Sequence, residues 1–216
     1  GRFEDATFGA TRGLPADVDP TRGLALVDVD GDGDLDLVVA NDNAAQRLLL
    51  NDGHGLFGEP GTPLLPADVF HASGVDAADL DGDGVCDFFF ATRGETNRLY
   101  LSGAGSWTEA PASLPFHIED SRAVRFFDAD GDGLPDALLA NHASQNRLYL
   151  NRWSSLGGFL DVTPGNLPAD TDPTCGLACA DVDGDGDEDI VFINAGAQNR
   201  LLLNGGNGVF AAGPDL

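Results

Sequence analysis

Four copies of one nine-residue phrase, D-x-D-G-D-G-x-x-D, hold the densest chemistry of the chain: Asp28–Asp36, Asp79–Asp87, Asp128–Asp136 and Asp181–Asp189. Each copy sets carboxylates at positions 1, 3, 5 and 9. Short acids crowded into one loop repel each other, and the loop stays compact only with a cation among them. Donors that are all oxygen select a hard divalent ion. Calcium is the one expected, because it accepts about six to eight oxygens in flexible geometry.

The expected ligands follow position by position. The first loop offers Asp28, Asp30, Asp32, the main-chain carbonyl of Asp34, and Asp36. The second offers Asp79, Asp81, Asp83, Val85 through its carbonyl, and Asp87. The third offers Asp128, Asp130, Asp132, Leu134 through its carbonyl, and Asp136; the fourth offers Asp181, Asp183, Asp185, Asp187 and Asp189. Position 7 varies freely, as a main-chain ligand can. Gly33, Gly84, Gly133 and Gly186 at position 6 permit a positive φ. The expectation is four Ca²⁺, one per repeat. A plainer reading, an Asp/Gly turn that only solvates a hairpin, does not require acids at all four positions in every copy.

Related loops fit less well. An EF-hand needs a Glu at position 12 and flanking helices, yet position 12 here is Val39, Phe90, Leu139 or Phe192. A dockerin-type loop would be followed by an amphipathic helix, and nine-residue β-roll repeats would run back to back. Each phrase is instead followed by a short apolar run, such as Leu37–Ala40 or Phe88–Ala91, which reads as a buried strand.

The elements that must position these loops repeat with them. The first Asp of each phrase falls at 28, 79, 128 and 181, a period near 50 that signals a solenoid, a propeller or a tandem array. An alternating segment precedes each loop: 23–27, 74–78, 123–127 and 176–180. A further strand opens on Arg47, Arg98, Arg147 or Arg200. After a Gly-rich turn, a fourth begins at Phe57, Trp107, Phe159 or Phe210. Each unit is a four-stranded antiparallel meander with its acidic loop between the first two strands. Strands apolar on both faces suit sheets packed face to face. The fold class expected is all-β, a β-propeller of four-stranded antiparallel blades with four blade units. Residues 1–216 form one repeat domain, with units at about 3–56, 57–106, 107–158 and 159–208, and 209–216 beginning a further outer strand.

Composition narrows the function. The 216 residues carry 36 acids against 11 basic residues, a formal charge of −25. Even four bound Ca²⁺ leave a strongly acidic surface, which argues against nucleic acid or an anionic membrane as partner. Hydrophobic content of 42% supports a globular core. No apolar run approaches the ~18 residues of a membrane helix. The chain opens on Gly1 with no visible signal peptide, so a processed or excised piece is expected. Cys175 and Cys179, four apart in one strand, lie roughly 13 Å from each other, too far for a disulfide; free thiols are expected.

These residues resemble FG-GAP/VCBS-type repeats, the units of the integrin α-subunit β-propeller. The resemblance rests on the four acidic loops, the Asn-Arg-Leu-x-Leu-Asn strand and the Gly-x-Phe opening of the last strand. It looks closest to bacterial secreted proteins with Phe-x-Asp-Ala/Val-Thr units, as at Phe3–Thr7 and Phe159–Thr163. It implies Ca²⁺ in the hairpin of each blade, a secreted or cell-surface location, and adhesion or ligand binding. A fungal lectin of this fold binds sugars between blades, but its contact residues find no match here. Family propellers usually have seven blades, whereas this chain holds four units. A small four-bladed ring, a homodimer completing an eight-bladed ring, and a segment of a larger propeller are all open, with the last two favoured.

Other residues have plainer uses. Arg47, Arg98, Arg147 and Arg200 could form a basic ring, but pairing with nearby carboxylates is the simpler expectation. The polar stretches 41–46, 92–97, 141–146 and 194–199 could meet sugar hydroxyls, or simply build turns. His54, His71, His117 and His142 are read as solvated loop residues, and Trp107 and Trp153 as packing. No catalytic arrangement recurs, so an enzyme is not expected. The reading is a calcium-binding extracellular module with an unidentified protein or glycan ligand. A lectin is the alternative, and a Ca²⁺-dependent polysaccharide lyase the weaker one.

Overall fold

The computed structural model describes residues 13–15 and 18–214; the motif at Phe3–Thr7 lies outside them. Among the described residues sixteen strands run in sequence as four antiparallel four-stranded sheets, the first three joined by cross-pairing into one twelve-stranded array. The first sheet holds β1 (Thr21–Val27), β2 (Asp36–Ala45), β3 (Arg47–Asn51) and β4 (Phe57–Gly58). The second holds β5 (Val69–Ala78), β6 (Asp87–Thr96), β7 (Arg98–Gly103) and β8 (Ser106–Glu109). The third holds β9 (Ile118–Phe127), β10 (Asp136–Asn141), β11 (Arg147–Asn151) and β12 (Phe159–Asp161). The fourth holds β13 (Thr174–Ala180), β14 (Asp189–Asn194), β15 (Arg200–Asn204) and β16 (Phe210–Ala212). Within each sheet neighbours in sequence are neighbours in space, so each is the meander the apolar runs imply.

The acidic phrase spans the same hairpin every time. Val27 pairs with Asp36, Ala78 with Asp87, Phe127 with Asp136 and Ala180 with Asp189. Loop position 9 is therefore already the first residue of the second strand.

Among the described residues three cores lie between consecutive sheets and a fourth, of Leu37, Val39, Leu49 and Phe57, lies on the outer face of the first, which is why the strands are apolar on both faces. Phe88 and Phe90 point back to Val38, Ala40 and Leu48 of the first sheet. Between them in sequence, Phe89, with Ala91, points forward to Val124, Phe126 and Leu139 of the third. Phe127, Leu138 and Leu148 then meet Ile190, Phe192 and Leu202 of the fourth. Alternation along a strand sends successive side chains to opposite faces, so one strand serves two cores. Trp107 belongs to the first of these cores, its ring 4.8 Å from that of Phe88, and Trp153 packs at the margin of the second.

First strands of adjacent sheets approach backbone to backbone. A Cβ on Gly23 would lie 2.7 Å from the Gly74 Cα, and one on Gly74 would lie 3.2 Å from the Ala123 Cα. Small residues at these equivalent positions let the sheets converge along one edge.

Pairing between sheets was not legible in the sequence. The end of β2 pairs with the start of β5 through Asp42↔His71 and Ala45↔Val69, and β6 pairs with β9 through Arg93↔Asp120 and Thr96↔Ile118. His142 and Pro173 form a single bridge between the third and fourth sheets. All three cysteines are free thiols.

Candidate metal centres

Every loop folds around its own first carboxylate. Asp28 Oδ1 accepts the Gly31 N–H at 2.8 Å and Oδ2 accepts the Gly33 N–H at 3.0 Å. The same pair recurs at Asp79 with Gly82 and Gly84, at Asp128 with Gly131 and Gly133, and at Asp181 with Gly184 and Gly186. Glycines at positions 4 and 6 both take positive φ, 78° and 93° in the first loop. The position-4 glycine was not singled out from the sequence, although its invariance across the four copies marks it. Position 5 accepts the position-7 N–H in all four loops, for instance Val85 N–H to Asp83 at 2.8 Å. Val85 and Leu134 are exposed, so position 7 enters the loop through its backbone.

Position 9 has a second duty. Asp36, Asp87, Asp136 and Asp189 are essentially inaccessible to solvent. One oxygen of each accepts the N–H of loop position 2: Val29, Leu80, Ala129 or Val182, at 2.9–3.0 Å. The other accepts an N–H at the end of the third strand: Asn51, Ser102, Asn151 or Asn204, at 2.7–2.8 Å. This carboxylate pins the loop to its sheet. Burial pushes Asp87 up to about 6 and Asp136 to about 7, against the pull of those backbone donors. Asp30 and Asp183 are raised too, by lost hydration and by neighbouring carboxylates.

Each loop gathers a triad whose carboxylate oxygens lie within 4.8 Å of one another: Asp28, Asp30 and Asp32; Asp79, Asp81 and Asp87; Asp128, Asp130 and Asp136; Asp181, Asp183 and Asp189. These triads could hold a metal ion, one per repeat. Donors made only of oxygen fit a hard cation, and Asp130 Oδ1 is buried in its loop with no hydrogen-bond partner.

A family model for the FG-GAP-like repeat matches residues 28–90, 79–139 and 128–192, which together span well over half of the chain. The chain belongs to the FG-GAP-like repeat family. No curated protein matches it in sequence. Among solved structures, BBS1N in complex with ARL6DN superposes with a TM-score of 0.51 at 10% identity, covering 90% of this chain and 56% of that one. The V. cholerae biofilm matrix protein Bap1 gives 0.49 at 20% identity, covering 89% of this chain and 30% of that one. The chain thus spans about a third to just over half of these two proteins.

Around the FG-GAP-like loops, the other residues singled out from the sequence divide clearly. The four equivalent arginines pair with nearby acids of strands and connections: Arg47 with Glu59, Arg98 with Glu109, Arg147 with Glu119 and Asp161, and Arg200 with Asp170 and Asp172. The polar stretches close their own hairpins. An amide oxygen just before each arginine accepts a backbone N–H five residues back, from Gln46 to Asn41, Asn97 to Thr92, Asn146 to Asn141 and Asn199 to Asn194. The recurring Asn/Gln-Arg dipeptide was the signal. Three histidines depart from the solvated-loop reading, His142 through its bridge to Pro173. His71 sits in β5 with Nδ1 2.7 Å from Asp42, and His117 lies 3.0 Å from Asp161 and stacks on Tyr149. Sequence reasoning also missed a tie between sheets. Asn151 donates its amide to Leu80 O in the preceding loop, and Asn204 to Ala129 O, at 2.9 and 3.0 Å.

Proposed function

We propose that the chain is a non-catalytic, calcium-binding β-propeller module of the extracellular space, its four sheets acting as blades and one structural Ca²⁺ sitting in each. The observation that carries this reading is the fourfold recurrence of an oxygen-only cage, built by short carboxylates and pinned to its sheet by a buried position-9 Asp. Calcium suits those cages because it tolerates crowded carboxylates, flexible geometry and a carbonyl ligand. Sheets converging along the Gly23–Gly74–Ala123 edge, with their cores between them, support the propeller reading. Loaded cages turn four unstable loops into a rigid rim on which a protein or glycan ligand can dock. Because the ion binds the folded form only, its removal costs stability by mass action. EDTA should lower the melting temperature by at least ten degrees, about the shift that a few kcal/mol produce in a domain of this size. An unchanged melt after verified removal of the ions would contradict the reading.

A lectin is the second reading, and one observation favours it. A cavity of about 350 Å³ opens between the first and second sheets, lined by Val29, Asp30, Leu64, Asp83, Ser102 and Trp107. At this place the strand-ending Asn of the other sheets is replaced by Ser102, whose hydroxyl turns to Asp83 Oδ2 at 3.1 Å. A glycan array separates the two readings.

The natural partner in the propeller reading is a second copy of the chain. Ala40, Ala91 and Ala140 are fully buried by the following sheet, whereas their equivalent on the last sheet, Ile193, is 45% exposed. On the opposite face of the first sheet Leu37, Val39 and Leu49 are buried, and Leu24, the equivalent of the covered Val75 and Val124, is 58% exposed. Every internal interface joins one such face to the other, so two copies can join head to tail in the same way and complete an eight-bladed ring.

A further inference from the structure

One residue beside the third loop has no equivalent beside the other three. Arg152 follows Asn151 at the end of β11, where the other sheets carry Asp52, Gly103 or Gly205. Its guanidinium reaches into its own sheet's acidic loop. Nη2 lies 2.6 Å from Asp130 Oδ2, and Nη1 lies 3.0 Å from Asp132 Oδ2 and donates to the Asn151 carbonyl at 2.9 Å. Both carboxylates are expected cation ligands, at positions 3 and 5.

The loop has adjusted to this contact. In the first, second and fourth loops the position-5 N–H donates to the position-3 carboxylate, at 3.3, 3.1 and 3.2 Å. In the third, the Asp132 N–H turns instead to Asp128 Oδ1 at 3.1 Å. Asp130 gives Oδ2 to Arg152 and leaves Oδ1 buried without a partner, and its carboxylate groups with those of Asp128 and Asp136.

We propose that Arg152 is a resident cation of the third loop, which holds its carboxylates together without metal and makes it the weakest calcium site of the four. This rests on the calcium reading above. The physical reason is charge. A guanidinium in contact with two carboxylates offsets part of the repulsion that otherwise calls for a divalent ion. It also repels any cation that enters beside it. Calcium then either binds at reduced local charge or displaces an arginine already hydrogen-bonded, and each route costs affinity. Among the described residues no guanidinium contacts the carboxylates of loops one, two and four, which then depend on the ion for their shape. Over a range of calcium concentrations the chain would carry three ions, with the fourth joining only when calcium is abundant.

The test is a calcium titration of the metal-stripped full chain by isothermal calorimetry, with Asp128→Asn to assign the third site. The wild type should show three similar sites and a fourth at least tenfold weaker, and Asp128→Asn should remove that weak one. Arg152→Gln should bring the fourth site within threefold of the rest, while Arg152→Lys, which keeps the charge, should leave it weak. Hydrogen exchange in EDTA reads the loop directly: the Gly131 and Gly133 amides should be protected in the wild type and exchange at least tenfold faster in Arg152→Gln. Four equal affinities in the wild type, or a weak site that survives Asp128→Asn, would overturn the role of Arg152 alone. Absence of calcium binding by the folded chain would overturn the calcium reading with it.

Discussion

Asp136 and Asp132 belong to one loop but do different work. Both oxygens of Asp136 are spent on backbone N–H groups, from Ala129 and Asn151, in a place water does not reach. Asp132 is exposed and holds only the Leu134 N–H and the Arg152 guanidinium. Replacing Asp136 by Asn puts an amide N–H₂ against a backbone donor, which costs about 1–3 kcal/mol. Asp136→Asn should therefore lower stability to urea by that amount even in EDTA, whereas Asp185→Asn, at position 5 of the fourth loop, should lower it chiefly in calcium. Equal losses in both conditions for both variants would show that position 9 is merely another ligand. The clustering of these acids was legible because spacing alone carries it. The clamp role was not, since its partners stand 7 residues before Asp136 and 15 after it, brought close only by the hairpin register.

At the scale of the strand and the sheet, the sequence marked nearly every element. All four acidic hairpins, the arginine-led third strands and the aromatic-led fourth strands stand where the apolar runs placed them. The pairing of β2 with β5 and of β6 with β9 escaped notice, because their polar ends, Asp42–Ala45 and Arg93–Thr96, read as loop. Polar side chains at a sheet margin satisfy a solvated strand as well as a turn, so composition could not separate them. The convergence of first strands offers a test of sheet packing. A methyl group at Gly23 would meet the Gly74 backbone, which cannot give way as a side chain tip can. Gly23→Ala should cost about 1–3 kcal/mol through overpacking, measured by denaturant unfolding, with calcium content unchanged. A neutral result would mean the sheets have room to separate.

For the molecule as a whole, charge and apolar surface pull in different directions. Net charge of −25 opposes compaction, and a cation held in the loops would relieve it where it is densest. The uncovered last-sheet face around Ile193, Val191 and Leu201 is apolar, and apolar patches of this kind mark interaction sites. Light scattering in calcium should give twice the chain mass of 22.4 kDa. A monomer at micromolar concentration would leave ring completion to other repeats and remove the second copy from the account. The most direct measurement of the central claim is the metal content of folded chain dialysed against millimolar calcium, by plasma mass spectrometry. The account predicts four calcium ions per chain, falling to three in Asp128→Asn. A folded chain that retains none would contradict it.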